Sequence, residues 1–211
     1  MKSVQDETAE YYDTYYTAGQ SANLYDMKNI VAVDNVRVTV AAVIAIALVL
    51  LITFRSLALP VALMLAIESG IWINLSIPYY TGVSMNFIGY LVINTVQLGA
   101  TIDYGILLTS HYLDRRRIEL PREAVRHALG ETFVSLLVSA GILSSAGFAL
   151  SATASMSAVS SLGFLLGRGA LISLVMVTCF LPALLVYGDG VIRRTTLKAG
   201  FYTEKGDSSA A

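Results

Sequence analysis

An aspartate interrupts a long apolar run in the stretch QLGATIDYGILL, Gln97 to Leu108. A charged side chain near the centre of a bilayer costs at least about 2.5–3.5 kcal/mol on insertion scales, so Asp103 is a functional candidate by default. Burial disfavours the ionised carboxylate, and a carboxyl poised between its neutral and ionised forms can load and release a proton. At helical spacing Asp103 shares a face with Gly89, Val96, Gly99, Ala100, Leu107 and Ser110. Small residues one turn before the acid, Gly99 and Ala100, let another helix pack closely. The acid is therefore expected to point into a helix bundle. Tyr104, about 100° further round the same helix, offers a phenol for hydrogen bonding to another helix. Asn94, Gln97 and Thr101 add polar atoms on its other faces.

Only two further charged residues fall well inside apolar runs. Glu68, in LAIESGIW, reads either as a second protonatable group or as a hydrogen-bonded packing residue. Arg168, in LLGRGAL, is expected in the outer half of its span, more than about 10 Å from Asp103 in depth at 1.5 Å per residue. That offset argues against a direct salt bridge and for a guanidinium that reaches outward or lines an outer vestibule. Gly141/Ser145, Gly147/Ser151 and Gly163/Gly167 are each four apart, a spacing that suits tight helix packing. A functional alternative is that Ser139, Ser144 or Ser145 hydrogen-bonds to the Asp103 carboxyl or to water beside it. No His/Cys/Asp/Glu group has metal-ligand spacing. No glycine-rich phosphate loop or nucleophile elbow appears. No metal and no cofactor are expected, only protons.

These residues need membrane-spanning helices to position them. The 211 residues are 55% hydrophobic and 14% charged, against about 25% charged in an ordinary soluble domain. Spans of roughly 20 apolar residues are expected at about 36–54, 57–77, 87–113, 132–151 and 159–187. Pro60 falls in a first turn, where its missing N–H is harmless. Pro182 is expected to kink or end the fifth span, and PYYTGVS (Pro78 to Ser84) reads as a turn. The stretch DRRRIELPREAVRHALGE, Asp114 to Glu131, is the only sizeable loop. Its residues from Pro121 to Ala128 suggest a short amphipathic helix on the membrane surface. Five spans place Arg55, Arg115, Arg116, Arg117, Arg122, Arg126, Arg193, Arg194, Lys198 and Lys205 on one side, and only Lys2, Lys28 and Arg37 on the other. By the positive-inside rule the N-terminus is outside and the C-terminus cytoplasmic. The lone cysteine, Cys179, cannot form an intrachain disulfide. No basic face suggests nucleic acid.

Several stretches together resemble the membrane half-domain of the MMPL branch of RND-superfamily exporters. They are FRSLALPVALML, LGATIDYGILLTSHYLDRR, PREAVRHALGETFVSLLVSAGILSSAGF and LGFLLGRGALISLVMVTCFLPALL. The most specific element is the Gly-x-x-x-Asp-Tyr pattern of Gly99, Asp103 and Tyr104. The resemblance implies an all-α integral membrane protein with five transmembrane helices of an RND/MMPL half-bundle. It divides the chain into an extracytoplasmic porter-domain remnant (1–35), a membrane domain (36–188) and a cytoplasmic tail (189–211). It implies a secondary active transporter rather than an enzyme, in which Asp103 and Tyr104 relay protons at the centre of a two-half bundle. Proton motive force would drive export of lipidic or hydrophobic substrates across a bacterial plasma membrane. The other half and the porter domain, or another copy of this chain, would be partners beside membrane lipids. The alternative is a truncated or split-gene product that does not transport and serves as a membrane interaction or assembly module.

Overall fold

The computed structural model describes residues 20–82 and 87–195. Its regular elements are helices: α1 (Gln20–Phe54), α2 (Ala58–Thr81), α3 (Phe87–Arg116), α4 (Pro121–Thr153), α5 (Ser157–Val175), a π-helical turn (Met176–Phe180) and α6 (Leu181–Thr195). Four stretches among the described residues are long and apolar enough to cross a membrane: Val36–Phe54, Ala58–Thr81, Pro121–Thr153 and Ser157–Thr195. The chain is an all-α membrane protein. The third expected span, about 87–113, coincides with α3, which at 30 residues is about 45 Å long. Asn94, Gln97, Thr101, Asp103 and His111 lie along it. A helix packed among others can carry such residues where one surrounded by lipid cannot.

Contacts divide the chain at Val40. The described part of the first unit is the helix from Gln20, with an exposed Asp34–Arg37 ion pair at 3.8 Å. Residues 1–19, which include Tyr11, Tyr12, Tyr15 and Tyr16 of the expected porter remnant, lie outside the described residues, as does the tail from 196. The second unit starts with the remainder of α1, of which Leu50 and Phe54 enter the core. Helix α1 ends where Arg55 adopts a left-handed conformation (φ 49°) and donates its N–H to Leu51 O at 2.9 Å. This is the tight link expected at Arg55-Ser56. The buried Ser56 hydroxyl lies 3.5 Å from that of Thr195 at the end of α6.

Three boundaries differ from the sequence expectations, each for an identifiable reason. Helix α2 runs through Pro78 to Thr81 and stops at Gly82 (φ 67°), whose N–H reaches Pro78 O. The Pro78 ring cannot donate to the carbonyl of Asn74, one turn back. Arg168 Nη2 donates to that oxygen instead, at 2.9 Å. The expected surface helix from Pro121 is the first part of one 33-residue helix, α4. Pro121 starts it, and Glu123 suits the positive end of the helix dipole. Ala124, Ala128, Thr132, Leu136 and Ala140 form a buried ridge at four-residue spacing that never breaks. Pro182 neither ends nor interrupts the last span. The π-helical turn comes before it, and Thr178 Oγ1 donates back to Leu174 O at 2.8 Å. An inserted turn of this kind accommodates a proline by local re-pairing. Helix α6 then continues to Thr195, so residues 189–195, expected in the tail, are helical.

The most extensive helix pairing is α4 against α5. A Cβ placed on Gly147 would lie 2.5 Å from Gly167 N and 2.8 Å from Gly163 O. Only glycine permits backbones this close, which answers the packing role read from the Gly147/Ser151 and Gly163/Gly167 spacings. Ser160 Oγ seals the end of this interface on Ser151 O at 2.8 Å. Gly141 of the third pair has nothing within 4 Å of a built Cβ and is exposed.

Candidate functional site

Helix α3 presents two chemically different polar faces. On the face packed by this chain, Gln97, Thr101, Leu108, Tyr112 and Arg116 are buried. Here Asn74 Nδ2 of α2 donates to Gln97 Oε1 at 2.8 Å and to Leu165 O at 3.2 Å. Gln97 Nε2 donates to Ser173 Oγ of α5 at 3.2 Å and to Gly169 O at 3.4 Å. Thr101 Oγ1 lies 2.8 Å from Ser173 Oγ and 2.6 Å from Gln97 O. Arg168 Nε donates to Asn74 Oδ1 at 2.8 Å, and its guanidinium carbon lies 5.6 Å from the Phe164 ring centroid, a cation–π distance. Three helices are thus joined by one buried amide–hydroxyl network. Gly169 is required for it: a Cβ there would lie 2.7 Å from Asn74 Nδ2 and 2.8 Å from Gln97 Oε1.

Further along the same face, two turns of α3 are clamped to α6. Arg116 Nε and Nη2 donate to the two carboxylate oxygens of Asp189, both at 2.9 Å. Tyr112 Oη donates to Asp189 Oδ1 at 2.8 Å, and Arg116 Nη1 reaches Glu119 O at 3.0 Å. A bidentate, nearly buried arginine–carboxylate pair with a further hydrogen bond to a backbone carbonyl fixes geometry in a way an exposed pair does not. At the exposed edge beyond it, Arg115 and His111 pair with Glu131, and His127 with Glu119.

Asp103 lies on the opposite side. With Val96, Gly99 and Leu107 it forms an exposed stripe, and Asp103 has no hydrogen bond or ion pair among the described residues. Nothing lies within 4 Å of a Cβ built on Gly99. The small-residue face is therefore not covered by the described helices of this chain. Helices α2 and α5 take the Gln97–Thr101 face, where hydrogen-bonding partners are on offer. Asp103 is about 24 Å along α3 from Phe87 and about 20 Å from Arg116, so it sits near the middle of the helix. Its neighbour Tyr104 is 8% exposed and belongs to the core, so the two side chains occupy different sides of α3.

The remaining candidates are scattered. Glu68 is half-buried on α2, and its Oε1 is sealed from solvent without a hydrogen bond among the described residues. Ser139 and Ser145 are exposed on α4, Ser145 Oγ donating to Ile142 O of its own helix at 2.9 Å. Ser144 is buried at the α4–α5 contact, with its carbonyl beside Gly167. Arg168 is half-buried and held on Asn74. Sequence reasoning missed Asn74, Ser173 and Asp189. One signal was present for the first of these: Asn74 stands four residues before Pro78, so its carbonyl had to find another donor. No group of three or more possible metal-ligating side chains occurs among the described residues.

The sequence model of the MMPL family matches residues 1–202. The chain belongs to the MMPL family. No curated protein and no solved structure matches it. Family membership places these helices in an RND/MMPL-type transporter domain, not in an enzyme. In an MMPL membrane domain the exposed stripe on α3 and the amide network behind it are distinct parts: one is complete within this chain and the other is open.

Proposed function

We propose that this chain forms one half of the membrane bundle of a proton-driven MMPL exporter of lipidic or hydrophobic substrates, with Asp103 as the proton-carrying group. The observation that carries this reading is the open Gly99–Asp103–Leu107 stripe. A carboxyl at mid-helix depth facing out of its own bundle would meet lipid at high cost. A second bundle laid over Gly99 would enclose the acid between two halves, the place where transporter sites form. Protonation then changes what that interface holds, from a charge needing polar partners to a neutral acid that packs. The difference can shift the equilibrium between two arrangements of the halves. Tyr104 stands beside the acid on the packed side, placed to exchange a proton with water or side chains reached through this chain's core. The face of α3 behind it, tied by Gln97, Thr101 and the Arg116–Asp189 clamp, makes the helix a firm support rather than a loose one. The proton-carrying face is then bounded by the membrane of a bacterial cell, with the arginine-rich ends of α3, α4 and α6 toward the cytoplasm.

The test is Asp103→Asn in the assembled transporter, in proteoliposomes with an imposed pH gradient. Loss of proton-coupled substrate movement with normal assembly is expected. Undiminished coupled export by the variant rules out the role for Asp103.

A further inference from the structure

We infer that Arg168 and Phe164 of α5, held against Asn74 of α2, form a site for the anionic head group, a carboxylate or a phosphate, of an amphiphile dissolved in the membrane. Arg168 carries a charge without a counter-charge. Its partners are Asn74 Oδ1, Asn74 O and the Phe164 ring, all neutral, and it has no ion pair among the described residues. Glu68 and Asp103 are the acids within the five spans, and neither is placed to serve. Glu68 stands six residues before Asn74, about 9 Å along α2 and about 120° round it. Asp103 stands six residues beyond Gln97 on α3, on the exposed stripe that faces away from the amide network.

An arginine inside a membrane ordinarily lowers its cost by reaching to the interface. Arg168 is denied that route. Asn74 lies seven residues, about 10 Å, before the end of α2 at Thr81, and Arg168 lies eleven residues, about 16 Å, into α5 from Ser157. Nε and Nη2 are pinned to Asn74 at 2.8 and 2.9 Å, and Asn74 is itself fixed on Gln97 Oε1 and Leu165 O. The charge therefore stays below the interface, half-buried. A guanidinium has five N–H donors. Both donors of Nη1 and one of Nη2 have no partner among the described residues. A carboxylate or phosphate is the acceptor that such a fork fits, and only an anion offsets the charge. At this depth the anion must bring apolar surface with it. Phe164, 48% exposed, and Phe148, 37% exposed, lie with ring centroids 5.8 Å apart and continue from the guanidinium as an aromatic surface for a tail. The site is separate from the Asp103 stripe, and binding here does not depend on proton transport.

The experiment places the full chain in phosphatidylcholine nanodiscs with a palmitic acid that carries a photoactivatable diazirine near its head, at alkaline pH where the acid is ionised. Cross-links are mapped by mass spectrometry. The acid should label Phe148 and Phe164 at least about tenfold more than its methyl ester at equal mole fraction, the scale of one charge-assisted hydrogen-bonded pair. Arg168→Gln, which keeps a donor for Asn74 O, should bring the acid down to the level of the ester, and its melting temperature checks that it folds. Arg168→Lys should keep part of the preference. Equal labelling by acid and ester in the native chain overturns the proposal, and this comparison needs no variant. So does a preference unchanged in folded Arg168→Gln. Displacement of the acid by inorganic phosphate overturns it as well, by assigning the site to a water-soluble anion.

Discussion

The two sides of α3 treat their polar groups in opposite ways. On one side Gln97, Thr101, Tyr112 and Arg116 find partners on α2, α5 and α6, all within the chain. On the other, Asp103 finds none among the described residues, and Gly99 beside it leaves open space there. In a medium that cannot hydrogen-bond, a satisfied polar group is part of the scaffold, whereas an unsatisfied one is either a defect or half of a site. The packed side explains how α3 is held; the open side is where a change of protonation can have consequences elsewhere.

The sharpest way to break this contrast is through Asp103 itself. Asp103→Asn should lower proton-coupled transport in the assembled exporter by roughly 100-fold or more, the scale of losing a positioned acid–base group. The melting temperature of the chain in detergent should hardly move, because no hydrogen bond or ion pair among the described residues is lost. A large loss of stability instead would place Asp103 with the scaffold.

The packed side should behave in the reverse manner. Asp189→Asn leaves Arg116 buried without its charge partner and should destabilise by about 3–5 kcal/mol, measured by unfolding in mixed micelles. Gly169→Ala forces a Cβ against the Asn74 and Gln97 amides and should cost about 1–3 kcal/mol, the usual range for overpacking. Gln97→Leu removes the hub of the amide network. Interhelical hydrogen bonds in membranes average only about 0.6 kcal/mol, but several groups lose their partner here, so about 1–2 kcal/mol is expected. A Gln97→Leu variant as stable as the native chain would show that the network contributes nothing net. The smallest effect separates the two faces most cleanly. Gly99→Ala should stabilise the isolated chain by about 0.5–1 kcal/mol, as for glycine replaced within a helix. On the proposed reading it should also weaken association with the other half, read as reduced co-purification.

Much of the fold was legible because apolar length is a one-dimensional property. The helices that became α1 and α2 could be read from the chain, as could the tight link at Arg55-Ser56 and the glycine contacts between α4 and α5. Two of the misread boundaries share a cause. Pro78 and Pro182 read locally as punctuation, yet whether a proline ends a helix depends on who satisfies the carbonyl it abandons. For Pro78 that donor is Arg168, ninety residues on and invisible to local pattern. The same separation hid Asn74, Ser173 and Asp189, whose roles exist only through partners on other helices.

The sequence by itself determined that this is a membrane protein built of helices. It also determined that Asp103 is an acid set well inside an apolar run, and that Gly99 and Leu107 share its face, since helical periodicity is a property of one segment alone. Only the tertiary structure decided which side of α3 the chain packs and which it leaves open. Periodicity groups residues into faces but does not rank the faces. The ranking comes from competition among neighbours: α2 and α5 offer amides and hydroxyls that fit Gln97 and Thr101, and no described residue pairs with the Asp103 carboxylate.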